Sequence, residues 1–341
     1  MNKVLSFALL LWLGCTQAGF AERADTLRIV SYNLENLFDW KDDPTTNDDS
    51  FTEMGDHQWT EKKFRRKLSN LSKAIVAAGG WHTPVVIGLC EVENAYVVRQ
   101  LVDSTALRYA NYSFVHKDSP DQRGVDVAML YDSKRFRLLE QHFYRVRLED
   151  RPTRDILYAK GVLTGTQDTL HLFVNHWPSR YGGELESEPK RVKAAKVLRG
   201  VTDSLFAVNP NANVIIMGDF NEYTSNESIS KVLGAHNKWE TPKKGELYNM
   251  TAQYDGCESR GSHKFDGRWG MLDQFIVSGH LLSNKRGLHT SLKWVDICNE
   301  SFLLKDDKTG KAPKRAFLGT FFANGYSDHL PIYIDLVTNK K

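Results

Sequence analysis

The chain has 341 residues, 41% of them hydrophobic and 26% charged, a balance that excludes a disordered or fibrous protein and supplies enough apolar surface for a buried core. Its 45 Lys and Arg stand against 42 Asp and Glu, so a net charge of +3 excludes a polycationic nucleic-acid coat and an acidic tail. Any affinity for polyanions must be local.

At the start of the chain one charge, Lys3, precedes the apolar run Val4 to Gly14 and the small-residue stretch Thr16, Gln17, Ala18, Gly19. This is the order of a secretory leader, and the run is too short for a membrane-spanning helix. Cleavage after Ala18 or Ala21, or lipidation of Cys15 within Leu13-Gly14-Cys15, both predict an exported protein: periplasmic, extracellular or held at the outer surface. The remainder, 22–341, has no break in composition, no repeat and no low-complexity tract, and reads as a single domain.

Short runs rich in Val, Ile, Leu and Phe predict strands over Leu27 to Tyr32, Val85 to Leu89, Val125 to Tyr131, Leu170 to Val174, Val214 to Met217, Leu272 to Val277 and Pro331 to Leu336. Between them, Phe64, Leu68, Leu71 and Ile75 fall at helical spacing. So do Val192, Ala195, Leu198, Val201 and Leu205, after a Pro189 that suits a first helical turn. A shorter helix after Glu91 buries Val97, Val98 and Leu101, while Lys41 to Asp56 and Lys305 to Arg315 read as exposed loops. Many strands and few helices predict two packed sheets flanked by helices. The cysteines have no CxxC spacing, which argues against a cysteine zinc site. Cys90 ends an apolar run and reads as a buried thiol, whereas Cys257 and Cys298, both in loop-like sequence, are a candidate disulfide in an oxidising compartment.

The informative residues stand at strand ends. The predicted strands run into Asn33-Leu34-Glu35, Cys90-Glu91, Asn175-His176 and Gly218-Asp219-Phe220-Asn221; Asp273 opens another, and Ser327-Asp328-His329 precedes the last. One polar residue at a strand end is an ordinary cap or turn former. Carboxylates at Glu35, Glu91, Asp219, Asp273 and Asp328 on a common rim would repel one another, and a divalent cation resolves that conflict. Hard oxygen ligands suit Mg²⁺, with Mn²⁺ or Ca²⁺ as alternatives.

These motifs, in this order over residues 33 to 329, resemble those of the endonuclease/exonuclease/phosphatase superfamily, which is similar to DNase I. The resemblance implies an α+β fold: a four-layer α/β/β/α sandwich of two packed, mainly antiparallel sheets. It further implies a Mg²⁺-dependent phosphoric ester hydrolase, with the stretch His176 to Gly183 resembling exported bacterial members described as endonucleases. In that pattern Glu91 is the principal metal ligand, supported by Glu35 and Asp328. His329, oriented by Asp273, is a candidate general base, and Asp219 aligns or deprotonates the same water. Asn33 and Asn221 hold phosphate oxygens, and His176 donates to phosphate or to the leaving oxygen.

Arg123, Arg154, Arg180 and Arg191 are candidate substrate contacts, and the other histidines read as surface residues. Nucleic acid is the expected substrate of a monomeric enzyme, with a phospholipid or a sugar or inositol phosphate as the alternative. A non-catalytic secreted binding protein is the remote one.

Overall fold

The first apolar run becomes the long strand β1, Asp25–Leu37, which pairs in parallel with β2, Val86–Val92, and antiparallel with the strand Ile332–Thr338. The computed structural model describes residues 25–80 and 82–338; the predicted leader, with Cys15 and both expected cleavage positions, lies outside the described residues. Beyond β2 the sheet continues through β4, Asp126–Asp132, to β3, Tyr112–His116, and Val295–Ile297 closes its other edge, making six strands.

The second sheet has seven strands. In spatial order they are β5 (Phe136–Tyr144), β6 (Ile156–Leu163), β7 (Thr169–His176), β8 (Asn213–Asp219), Asp273–Ser278, Leu247–Asn249 and Ala235–His236. Its parallel pairs are β7 with β8 and the two short end strands, so both sheets are mainly antiparallel.

Alternation along the strands builds the layers. Leu172, Val174, Ile215, Met217, Phe275 and Val277 face the core between the sheets, whereas Phe173, Val214, Ile216 and Ile276 face a second core beneath the helix α3, Glu184–Val208. A strand buried on both faces needs an unbroken apolar run, which is why Val214 to Met217 carries no polar residue. The helices α1, Glu61–Gly79, and α2, Ala95–Asp103, pack against the six-stranded sheet. Thr60 accepts the Lys63 N–H at the start of α1, and Asn94 accepts the N–H groups of Tyr96 and Val97 at the start of α2. Four layers result, as the resemblance implies.

Several expectations are corrected. The helix α3 begins at Glu184, so Pro189 lies inside it rather than in its first turn. Gly183 supplies the positive φ of 121° at the entry, and Glu184 and Glu186 complement the positive helix end. The bond that Pro189 cannot donate falls on the carbonyl of Leu185, an exposed residue near the start of the helix. Strands β3, β5 and β6 were not expected; β5 is an edge strand with mostly exposed side chains, so it has no apolar run. The segment Lys41 to Asp56 buries Asp48 and Phe51, the latter stacked at 4.3 Å on Phe38 and 4.0 Å on His57. Lys305 to Arg315 is no open loop but most of a β-hairpin, Leu304–Asp307 with Gly310–Pro313.

Cys257 and Cys298 are both free: Cys298 is buried at the end of the Val295–Ile297 strand, while Cys257 lies in another loop beside Ser259. Cys90 is a buried thiol donating to the Asn175 carbonyl at 3.2 Å. Among the described residues no helix is long and apolar enough to cross a membrane.

Candidate active site

The two long parallel pairs end on the same rim of the sandwich. β1 and β2 deliver Asn33 and Glu91, while β7 and β8 deliver His176 and Asp219. The ladder bulges here before Leu37 and Val92 pair again, with φ in the left-handed region at Glu35 (49°), Asn36 (56°) and Glu91 (61°), and after β8 at Asn221 (52°). Gly218 is required between β7 and β8, because at its φ of 133° a Cβ would meet the Asn175 carbonyl oxygen at 1.9 Å.

Asn33 Nδ2 donates to Asp219 Oδ2 at 3.0 Å, and Glu91 Oε2 accepts the Asn36 N–H at 2.8 Å. Glu91 Oε1 has only distant company, 3.4 Å from Asn33 Nδ2 and 3.7 Å from His176 Nε2, and the side chain is 16% exposed. This oxygen carries a single long hydrogen bond and keeps a lone pair, which fits a hard cation. Asp219 Oδ2 lies 3.8 Å from the Nε2 atoms of both His176 and His329, and its Oδ1 accepts the Asn221 N–H at 2.9 Å. His329 Nδ1 pairs with the buried Asp273 Oδ2 at 2.6 Å. Ser327 ties this arm to β1 by donating to the Asn33 carbonyl at 2.7 Å and accepting the His329 N–H at 3.1 Å.

Burial sets the proton affinities. It pushes Asp219 up to about 7, with Asp273 and Glu91 adding to the rise and His329 opposing it. For His329 burial acts downward, but the carboxylates of Asp273 and Asp219 more than offset it, and the imidazole is held well above its ordinary value. His176 moves the other way, well below its ordinary value, through burial and then the positive charges of Arg154 and Arg123. At neutral pH His176 is a neutral hydrogen-bond donor, not a proton source.

The structure thus gathers Asn33, Glu91, His176, Asp219, Asp273 and His329. The Asn221 side chain is turned to the Trp177 carbonyl, donating at 3.1 Å. The Glu35 carboxylate is engaged by protein donors: Oε1 accepts from Arg315 Nε at 3.1 Å and the Phe317 N–H at 3.3 Å, and Oε2 accepts the Ala316 N–H at 2.5 Å. Asp328 Oδ2 accepts from Arg315 Nη2 at 3.1 Å.

Two arginines read as substrate contacts are structural. Arg154 is buried, bonded to Asp121 at 2.9 Å and to the His176 and Trp177 carbonyls at 3.2 and 2.6 Å. Arg191 is fully buried, its Nε 2.9 Å from Glu222. Arg180 donates to the Asn221 carbonyl at 2.9 Å and lies over the Tyr223 ring, fixing that loop. Arg123, 51% exposed at its side chain, lines a cleft of about 370 Å³ with Arg151, Ser179 and Tyr181, and so remains a candidate contact.

Three residues escaped the sequence reading. Lys67 is fully buried, donating to the Glu35 carbonyl at 2.6 Å; it stands three residues from Phe64 and four from Leu71, so the helical stripe already placed it on the inner face. His263 packs on His329 with ring centroids 4.6 Å apart, and burial, with His329, drives it down to about 3. Arg315 arrives from a hairpin that reads as solvated surface. His116, also read as a surface residue, is buried 3.5 Å from Asp126.

A four-layer sandwich whose rim gathers Glu91, Asn33, Asp219 and a His329–Asp273 pair defines a phosphoester hydrolase of the DNase I-like class. The sequence profile of the Endonuclease/Exonuclease/phosphatase family matches residues 28–338, and the chain belongs to that family. No curated protein sequence matches it.

Similar solved structures include an endonuclease/exonuclease/phosphatase family protein from Bacteroides thetaiotaomicron, 17% identical, covering 93% of this chain and 100% of that one at a TM-score of 0.53. D. rerio TDP2 complexed with a single-strand DNA product is 16% identical, covering 91% and 98% at 0.54. A mannosyl-6-phosphatase, also of Bacteroides thetaiotaomicron, is 16% identical, covering 91% and 99% at 0.54. At such identities the likeness establishes the fold.

Proposed function

We propose that the protein is an exported, metal-dependent phosphodiesterase that cuts nucleic acid by in-line attack of water. The observation that carries this reading is the open Glu91 Oε1 beside the linked Asn33, Asp219, His329 and Asp273 side chains. Held by Glu91, Mg²⁺, or Mn²⁺ or Ca²⁺ in its place, would neutralise phosphate charge and stabilise the leaving oxygen.

The protein's own groups divide the rest. Asp219, pushed to about 7, accepts the proton of the attacking water. His329, kept protonated by Asp273, faces the developing negative charge as an imidazolium, while Asn33 and the neutral His176 donate hydrogen bonds to phosphate oxygens.

The test is hydrolysis of double-stranded DNA, RNA, sphingomyelin and a generic phosphodiester with Mg²⁺ or Mn²⁺, with Glu91→Ala as control. Cleavage of DNA or RNA that vanishes in the control is expected; no turnover of any phosphate ester overturns the reading. A single small phosphoester is the second substrate class, favoured by the similar fold of the mannosyl-6-phosphatase. Salt separates the two, because contact with several phosphates of a polymer gives a steep fall of affinity and one phosphoester a shallow fall.

A further inference from the structure

We infer that Arg315 takes the place of a second divalent cation in this site, so that the protein binds one metal ion, at Glu91, and supplies its second positive charge itself. The inference rests on the phosphoesterase reading and deepens it. A second ion would need lone pairs from Glu35 and Asp328, the two rim carboxylates besides Glu91 that neither activate water nor orient His329 in this reading. Donors already meet three of those four carboxylate oxygens. Glu35 meets Arg315 Nε at 3.1 Å and the N–H groups of Ala316 and Phe317 at 2.5 and 3.3 Å, and Asp328 meets Arg315 Nη2 at 3.1 Å. One planar guanidinium thus bridges both carboxylates, the arrangement its fixed fork of donors is built for.

Displacing it is costly for reasons local to this chain. The Glu35 carboxylate also holds the backbone of 316–317. That backbone is anchored by the Phe317 ring against Trp59 at 5.3 Å and Phe51 at 5.6 Å. Behind Glu35, Lys67 Nζ donates to the main-chain oxygen at 2.6 Å and lies 4.6 Å from the Phe317 ring, so a second basic group already interacts with the charges of Glu35 and Asp328. Neither group is at Glu91 Oε1, which keeps its opening. The Arg315 side chain is 44% exposed, so the guanidinium is also reachable by a phosphate oxygen from the cleft.

The experiment counts ions rather than turnovers: Mn²⁺ is titrated into the protein and followed by electron paramagnetic resonance of the free ion and by calorimetry. One Mn²⁺ per wild-type chain is expected, lost in Glu91→Gln. Glu35→Gln, which keeps an oxygen acceptor for the Ala316 N–H, should leave count and affinity within about 2-fold. Arg315→Met should admit a second, weaker ion that disappears when Glu35→Gln is added.

Two ions in the wild type overturn the inference, whether the second sits at Glu35 and Asp328 or at the His263, Asp328 and His329 group, whose ligand atoms lie within 4.8 Å of one another. Loss of the ion in Glu35→Gln, or a count still at one in a folded Arg315→Met, also overturns it. Circular dichroism establishes folding, and if Arg315→Met does not fold, the wild-type count and Glu35→Gln still decide. Two ions leave the phosphoesterase reading standing, whereas no ion at all overturns that reading too.

Discussion

The 2.6 Å contact between His329 and Asp273 is the residue-scale feature with the clearest consequence for rate. Asp273 helps to hold the imidazole above its ordinary value, so removing its charge by Asp273→Asn lets the imidazolium lose its proton at lower pH. The expected result is a fall in kcat of about 10²–10⁴-fold, as for a lost acid–base or charge-stabilising group. The alkaline limb of the pH–rate profile should move down at the same time; a mutant with an unmoved alkaline limb would show that His329 does not act in its protonated form. The thiols give a second residue-scale prediction. Burial pushes Cys90 up, and it raises Cys298 to about 11, whereas hydrogen bonds to Ser259 lower the partly exposed Cys257. Among the described residues, a thiol reagent should therefore titrate Cys257 quickly in the native protein and Cys90 and Cys298 only after denaturation.

The carboxylates and histidines gathered on the rim were legible as a group because each closes or opens an apolar run. Arg315 was not, since its partner Glu35 is 280 residues away and only tertiary structure joins them.

At the scale of elements, α3 and the loop after β8 are locked by Arg191 and Glu222, both fully buried, with Ser228 adding a 2.7 Å hydrogen bond to Glu222. Removing one partner leaves a buried charge, so Arg191→Met should destabilise the protein by about 3–5 kcal/mol in urea unfolding. Arg191→Met with Glu222→Leu should recover part of that loss; no recovery would mean the pair is not the cause. Asn221 adjoins Glu222, and the single mutant should therefore also lose activity beyond its unfolded fraction. The strands Val86–Val92 and Asn213–Asp219 were readable because both their faces are buried. Strand β5 was not, for its sheet-edge position leaves Arg137, Glu140 and Gln141 acceptable. In β6, which lies between β5 and β7, the reason differs: Lys160 and a Gly161 packed under the Phe136 ring interrupt the apolar run.

For the whole molecule, pH reaches stability through Glu93. Burial raises this carboxyl to about 8, the Asp39 N–H lowers it and Asp39, Asp48 and Asp43 add to the rise. A carboxyl whose folded value exceeds its unfolded value stabilises the fold fully below the unfolded value of 4.5, and that stability is lost as pH climbs through about 8. Glu93→Gln should keep the 2.6 Å acceptor for Asp39 and stabilise the protein by roughly 1–3 kcal/mol at pH 8 relative to pH 5, measured by urea unfolding at both values. Equal effects at the two pH values would exclude Glu93 as the titrating group.

The strand Ile332–Thr338 lies between β1 and Val295–Ile297 and is joined to His329 by two residues. Until that strand is threaded home, β1 has an open flank and the rim has no imidazolium. Catalysis can therefore begin only at the end of assembly. A chain in which this strand is not yet seated should be inert toward phosphoesters.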